Sequence, residues 1–318
     1  MADRNDSVIT EFILLGLTDN PELNFVLFVL LLLIYLINVV GNAWIITVVL
    51  ASDQLHSPKY FFLSQLAFLD FCYSSVFIPR MLESYLAGRR AISYGGCLIQ
   101  YSFVNLFLTT ECFLLAAMAY DRYVAICRPL HYRGLMTPTF CIHLVTASYV
   151  LGCANSVTHL SSLLSLSFCG PNVINHYFCD IPLLFQLSCS DTRYSKALFL
   201  VLSTTTTGTT FLIVVSSYVG ILRTVLHIHS ITGRYKAFST CASHLTVVTL
   251  FYGTVTFTYL GTSSSYPQDR AKILSVFYTL FLPMLNLLIY SVRNEEAKDA
   301  MKRIVRRKII CSAIVNVK

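Results

Sequence analysis

Two acids stand where charge is expensive. Asp70 and Glu111 each lie near the middle of a run, 60–79 and 97–120, that holds no other Asp, Glu, Lys or Arg. An ionised side chain at the centre of a membrane helix costs about 2.5–3.5 kcal/mol even on insertion scales, so it marks an ion site, a proton site or a buried polar contact. Asn42 and Asn286 fall near the inner halves of two further apolar runs and could complete the cluster. The functional reading is a polar cluster in the bundle that holds a cation or protons. The bland reading is hydrogen bonding between helices, worth about 0.6–2 kcal/mol per contact. Two acids in one bundle favour the former. A third charged feature, Asp121-Arg122-Tyr123, closes the run that holds Glu111. Arg122 could snorkel to lipid phosphate, but the adjacent acid argues for an ion pair that a conformational change would break.

These residues need helices to position them, and the composition supplies the helices. Of 318 residues, 55% are hydrophobic and 12% charged, and the mean hydropathy is +0.65. Soluble domains carry roughly twice that share of charge. Residues 24–50, 134–168, 197–222, 237–268 and 273–292 contain no Asp, Glu, Lys or Arg. With 60–79 and 97–120 they make seven stretches of the roughly 20 residues a spanning helix needs. Alternating strands of the barrel type are absent. The fold expected is an all-α membrane protein: an N-terminal tail over 1–23, a seven-transmembrane-helix bundle over 24–292, and a tail over 293–318. That last segment mixes Lys302, Arg303, Arg306 and Arg307 with Ala300, Met301, Ile304 and Val305. It reads as a short amphipathic cytoplasmic helix lying on anionic lipid.

Charge sets the orientation. With the N-terminus extracellular, the inner segments hold 15 of the 23 Lys and Arg against 5 acids, as the positive-inside rule requires. This accounts for the net charge of +7 without a nucleic-acid partner; the partner is the lipid bilayer. Residues 1–23 have no apolar core of the signal-peptide kind, so the first span acts as signal anchor to the plasma membrane. Asn5-Asp6-Ser7 is an N-x-S acceptor on the outer tail, which makes Asn5 a glycosylation candidate.

Cysteines follow the same topology. Cys97 sits at the outer end of the third span, and Cys169, Cys179 and Cys189 fall in the loop after the fourth. All four face an oxidising compartment, and they allow three pairings. A zinc site with His176 is the weaker alternative, because the spacings lack tight C-x-x-C pairs. That loop, about 160–196, is long enough to need a task, and a lid over an outward pocket is the simplest.

Five stretches resemble one family. Residues 118–127 (MAYDRYVAIC) match the signature of vertebrate odorant receptors; 55–64 (LHSPKYFFLS) resemble its LHTPMYFFLS; 216–218 (SSY) contain its helix-five SY; 236–245 match KAFSTCASHL; and 283–294 (PMLNLLIYSVRN) resemble PMLNPFIYSLRN. With Gly41-Asn42 they run in order along nearly the whole chain. The sequence is similar to odorant receptors of the tetrapod, class II type, within the rhodopsin-like G-protein-coupled receptors. The resemblance implies a small-molecule odorant as ligand and a heterotrimeric, Gs-like olfactory G protein that raises cyclic AMP. It implies that Asp121 and Arg122, with Tyr123, form an ionic switch at the G-protein face, toward which Tyr218 and Tyr290 reorganise. It implies bridges Cys97–Cys179 and Cys169–Cys189, and a sodium-type cavity lined by Asp70 and Glu111. Two residues depart from the family pattern. Leu287 replaces the proline of Asn-Pro-x-x-Tyr, which leaves Pro283 as the source of any kink, and Tyr149 stands for the usual tryptophan.

For the ligand, Val104, Asn105, Leu108 and Thr109 share one face of the third helix. Leu202 and Thr206 on the fifth helix and Tyr252, Val255 and Tyr259 on the sixth lie at comparable depth and match family pocket positions. Together they outline a mostly apolar cavity suited to a small neutral volatile; bundle core is the competing reading for each residue singly. No acid in the outer half of helix three argues against amines, and no lysine below Lys272 on helix seven argues against a retinal Schiff base. Channel, transporter and enzyme readings lack repeats or motifs. No cofactor is required beyond the candidate Na+.

Overall fold

The computed structural model describes residues 9–18, 20–169, 171–260 and 268–292. Helix one spans Pro21–Ala51, helix two Pro58–Ala87, helix three Tyr94–Cys127, helix four Pro138–Leu164, helix five Arg193–Leu226 and helix six Ile231–Leu260. Helix seven runs from Gln268–Val276 through a π-turn at Phe277–Phe281 into Leu282–Val292. Among the described residues, six of these helices are long and apolar enough to cross a membrane. Helix six matches them in length and carries threonines through its span, at Thr246, Thr249, Thr254, Thr256 and Thr258. The five charge-free runs and the two runs with a single acid therefore marked all seven helices. The predicted amphipathic helix over 293–318 and the acceptor Asn5 lie outside the described residues.

Local chemistry starts and bends the helices. Pro21, Pro58 and Pro138 occupy first-turn positions, where the missing N–H has no partner to lose and φ is already helical. Asn20, Ser93 and Thr137 cap their helices by accepting from Glu22 N, Gly96 N and Phe140 N, which satisfies otherwise orphaned donors. The π-turn lies just before Pro283. A proline has no N–H and crowds the carbonyl four residues earlier, here Thr279, so the turn widens. Helix seven thus keeps an irregularity although Leu287 has replaced the family proline.

Helix three is the axis, packed on helices two, four, five and six. Its closest neighbour is helix four at Gly152, where a Cβ would collide with Thr110 Oγ1 and Leu106 O. Across the bundle, a Cβ at Gly41 of helix one would collide with the Leu287 side chain, so the leucine fills a notch made for it.

The outer end is roofed. Glu11–Leu14 forms β1, Ala91–Ser93 forms β2 and Val173–Ile174 forms β3, in the order β2-β1-β3. β1 pairs antiparallel with β2 and parallel with β3. The N-terminal segment, expected to be only a polar tail, therefore contains the middle strand of a small sheet. Cys97–Cys179 and Cys169–Cys189 are bridged, with Cα separations of 5.5 and 5.8 Å. Phe12 of β1, Phe178 and Cys179 are fully buried.

Candidate functional site

Below this roof lies a cavity of about 410 Å³ between helices three, four, five and six, within the usual range for small-molecule sites of about 300–1,000 Å³. Helix three contributes Tyr101, Val104, Asn105, Leu108, Thr109 and Cys112; helix six contributes Tyr252, Val255 and Thr256. Helix five supplies Phe199, Ser203, Thr206, Thr207 and Phe211, and the short helix Ile181–Leu187 of the roof lowers Ile181 into it. No lining residue is charged. Seven of the nine residues expected from sequence thus share one wall system: Val104, Asn105, Leu108, Thr109, Thr206, Tyr252 and Val255. Leu202 is not on it; helix five presents Ser203 instead, because one residue turns the helix by about 100° and a run of threonines gives no apolar stripe to fix that phase. The Tyr259 side chain lies outside the described residues.

Sequence reasoning missed Asn155. It projects from helix four and lines the cavity, donating to Asn105 Oδ1 at 2.8 Å and to Thr109 Oγ1 at 2.9 Å. Asn105 Nδ2 donates in turn to the Tyr101 hydroxyl at 3.1 Å. A lone amide in a charge-free span was the available signal, since such groups bind other helices or ligands.

The roof is fastened to helix seven. Tyr177 Oη bonds to Ser275 Oγ at 3.0 Å and Thr279 Oγ1 at 2.7 Å. Ser275 Oγ lies 3.1 Å from His176 Nε2. Lys272 Nζ donates to Gly16 O at 3.1 Å and Asn175 Oδ1 at 2.6 Å. Burial, reinforced by the Lys272 charge, pushes the His176 imidazole down to about 3, so it is neutral at physiological pH.

Deeper, Asp70, Glu111, Asn42 and Asn286 are all buried. Asn286 Nδ2 donates to both oxygens of Asp70, at 3.3 and 3.1 Å. Asn42 Nδ2 instead donates to Asn38 O at 2.9 Å. Glu111 Oε1, Asn286 Oδ1 and both amide atoms of Asn38 are buried without a hydrogen-bond partner. No group of three or more His, Cys, Asp or Glu that could hold a metal occurs among the described residues, so a multi-carboxylate cage is not formed. Two carboxylates and an orphaned amide oxygen nonetheless make an all-oxygen set, which fits a hard monovalent cation or water.

At the inner end, Arg122 Nη1 lies 3.9 Å from Asp121 Oδ2, and Tyr132 donates to Asp121 Oδ1 at 2.7 Å. Arg122 is buried and its Nε is unpartnered. Tyr123 packs against Gly220 of helix five. Tyr218 Oη lies 2.8 Å from His244 Nδ1, with the rings stacked. His244, buried on helix six, is the second residue the sequence did not single out. The Tyr290 side chain lies outside the described residues.

With this geometry in hand, the comparisons are specific. The profile of the olfactory receptor family matches residues 31–308. Olfactory receptor 5AR1 of Mus musculus is 50% identical over 308 residues, covering 97% of this chain and 99% of that protein. Olfactory receptor 8D4 of Homo sapiens is 50% identical over 312 residues, covering 98% and 99%. Among solved structures, squid rhodopsin superposes with a TM-score of 0.67 at 16% identity, over 92% of this chain and 88% of that one, a likeness of fold.

Proposed function

The chain belongs to the olfactory receptor family, and from that membership we propose that it is an odorant receptor coupled to a Gs-like olfactory G protein that raises cyclic AMP. It is a multi-pass membrane receptor and not an enzyme. The odorant occupies the cavity between helices three, four, five and six, with the N-terminus extracellular and the C-terminus cytoplasmic. The observation that carries the reading is the cavity itself: mostly apolar, free of lining charge, roofed on the outside and set on the helix that carries Asp121-Arg122 near its far end. Such a site favours a small neutral molecule, because a buried charge without a counter-charge is strongly penalised.

Arg122 provides the output. It is buried beside Asp121 with one guanidinium nitrogen unpartnered, a geometry ready to exchange partners. Asp70 and Glu111 would hold sodium in the resting receptor, with Asn286 and Asn42 nearby; the ion would neutralise the two carboxylates. The inner cations anchor the chain to lipid, and Asn5 carries the glycan.

The test is Arg122→Ala, read as odorant-driven cyclic AMP and cell-surface level. Signalling should be abolished while most of the surface population remains. Full signalling by this variant removes Arg122 from the coupling role.

A further inference from the structure

The hydrogen-bond inventory of the cavity points to the chemistry of its ligand, an inference that rests on the cavity being the odorant site. Both amide hydrogens of Asn155 are engaged, by Asn105 Oδ1 and Thr109 Oγ1. Asn105 Oδ1 receives Asn155 and also lies 3.4 Å from Thr109 Oγ1, so its two lone pairs are engaged. Asn105 gives one amide hydrogen to the Tyr101 hydroxyl. A carboxamide has two donor hydrogens and a phenol has one. The donor hydrogens the cluster leaves over are therefore the phenolic hydrogen of Tyr101 and the second amide hydrogen of Asn105, one helical turn apart on the same face; its remaining acceptor, Asn155 Oδ1, projects from helix four. Tyr101 is 4% exposed, so bulk water does not take up its hydrogen.

On helix six, the Tyr252 hydroxyl donates to Cys112 O at 3.5 Å and so has its hydrogen directed at the backbone. Thr204 and Thr210 of helix five return their hydroxyls to backbone carbonyls. Ser203, Thr206 and Thr207 turn toward the cavity, but a hydroxyl both donates and accepts and so discriminates little. Val104, Leu108, Phe199, Phe211 and Val255 are apolar.

We propose that the ligand is a neutral carbonyl compound, a ketone, aldehyde or ester with an aliphatic tail, whose oxygen accepts from Tyr101 and Asn105. A carbonyl oxygen has two lone pairs and can take both hydrogens. The tail lies along the apolar wall. Carboxylates and amines are rejected because no lining residue carries the opposite charge. Tyr101 and Asn105 are thus the residues that set specificity, and Asn155 is a positioning residue that holds Asn105.

The experiment is ligand-induced thermal stabilisation of the full-length receptor in lipid nanodiscs, which does not depend on G-protein identity. The probes share one skeleton: methyl heptyl ketone, nonane, nonanoate and nonylamine. The ketone should stabilise the wild type most, nonane less, and the two ions not at all. Tyr101→Phe, which removes only the hydroxyl, should weaken the ketone about tenfold, as loss of one such bond does, and leave nonane unchanged. Should Tyr101→Phe not fold, Asn105→Ala gives the same comparison. Stabilisation by nonanoate or nonylamine, a ketone response indifferent to both variants, or no stabilisation by any probe overturns the proposal. Leu108→Trp, which fills the cavity, separates the two levels. If it leaves the wild-type ketone response intact, the cavity is not the odorant site and the underlying reading fails. If it abolishes a response that Tyr101→Phe and Asn105→Ala leave unchanged, only the ligand assignment fails.

Discussion

In the outer half of the bundle, Asn155 places both amide hydrogens on named acceptors and Tyr177 bonds to two hydroxyls of helix seven. In the inner half, Asn38 has neither amide atom partnered, and Glu111 Oε1, Asn286 Oδ1 and Arg122 Nε are likewise orphaned, whereas the outer half leaves Asn24 Oδ1 and His159 Nε2, neither of them a charged group or a complete amide. Each such group costs about 1–3 kcal/mol if no water or ion reaches it. The outer half is also cross-linked by two disulfides and a three-stranded sheet, whereas the Asp121–Arg122 contact is a long 3.9 Å. The contrast assigns the halves different work. The outer half holds a binding geometry fixed. On the proposed function, the inner half would store polar groups whose best partners belong to another arrangement of the helices, as a two-state switch requires.

The most damaging way to break this comparison is to cut the outer restraint. Cys179→Ser removes the bridge between helix three and the roof, and loss of a native disulfide costs about 2–5 kcal/mol. Surface delivery, measured by antibody to an N-terminal tag, should fall nearly to zero. Cys141→Ala, at an unbridged buried cysteine of the inner half, should cost only about 1 kcal/mol and leave most of the delivery. Equal delivery of the two variants would erase the distinction.

A milder perturbation is acid. Neutral His176 is held between Tyr177, Ser275 and the Lys272 charge, with its pKa near 3 against an ordinary value near 6.5. Above 6.5 the roof is equally deprotonated whether fastened or released. Below it the released loop takes up a proton that the fastened one refuses, so fastening weakens as pH falls through 6.5 toward 3, by up to about 1.4 kcal/mol per unit. Amide exchange of residues 174–179, corrected for intrinsic pH dependence, should show about tenfold less protection at one unit below 6.5. His176→Gln should flatten that profile, and a flat profile in the wild type would show that the histidine does not control the roof.

How much of this was legible beforehand follows from what each signal encodes. Long runs with at most one charge encode burial in the membrane, and they marked all seven helices. Helix phase is encoded only where apolar and polar residues alternate at helical spacing. Helix three has that pattern, so Val104, Asn105, Leu108 and Thr109 were placed together; helix five has Thr204-Thr205-Thr206-Thr207, so Leu202 was named where Ser203 faces the cavity. Asn155 and His244 were overlooked although both are polar groups inside a span, the same signal that marked Asn42 and Asn286, because neither falls beside an acid of its own or a neighbouring run. The strand at Glu11–Leu14 was illegible for a different reason. Four residues pair with partners about 80 and 160 positions away, and a pattern that short specifies no register without the fold around it.

The smallest expected effect concerns the inner acids, and it tests whether the orphaned atoms serve an ion. Asp70 is already held by Asn286, while Glu111 Oε1 has no partner, so Glu111 is where an added cation would gain most. Glu111→Gln keeps the shape and removes the charge. If sodium sits there, basal cyclic AMP in membranes should lose its sodium dependence and shift by about threefold, the scale of one modest polar contact, while surface level is kept. Glu111→Leu removes both the charge and the acceptor, and it leaves Asp70 and Asn286 with one polar neighbour fewer. It should shift basal activity further and lower the surface level. If the orphaned oxygens serve only as hydrogen-bond acceptors for water, the Gln variant should behave as wild type with and without sodium, and only the Leu variant should depart. If both variants match wild type in both media, the inner half is as static as the outer, and the division of labour between them fails.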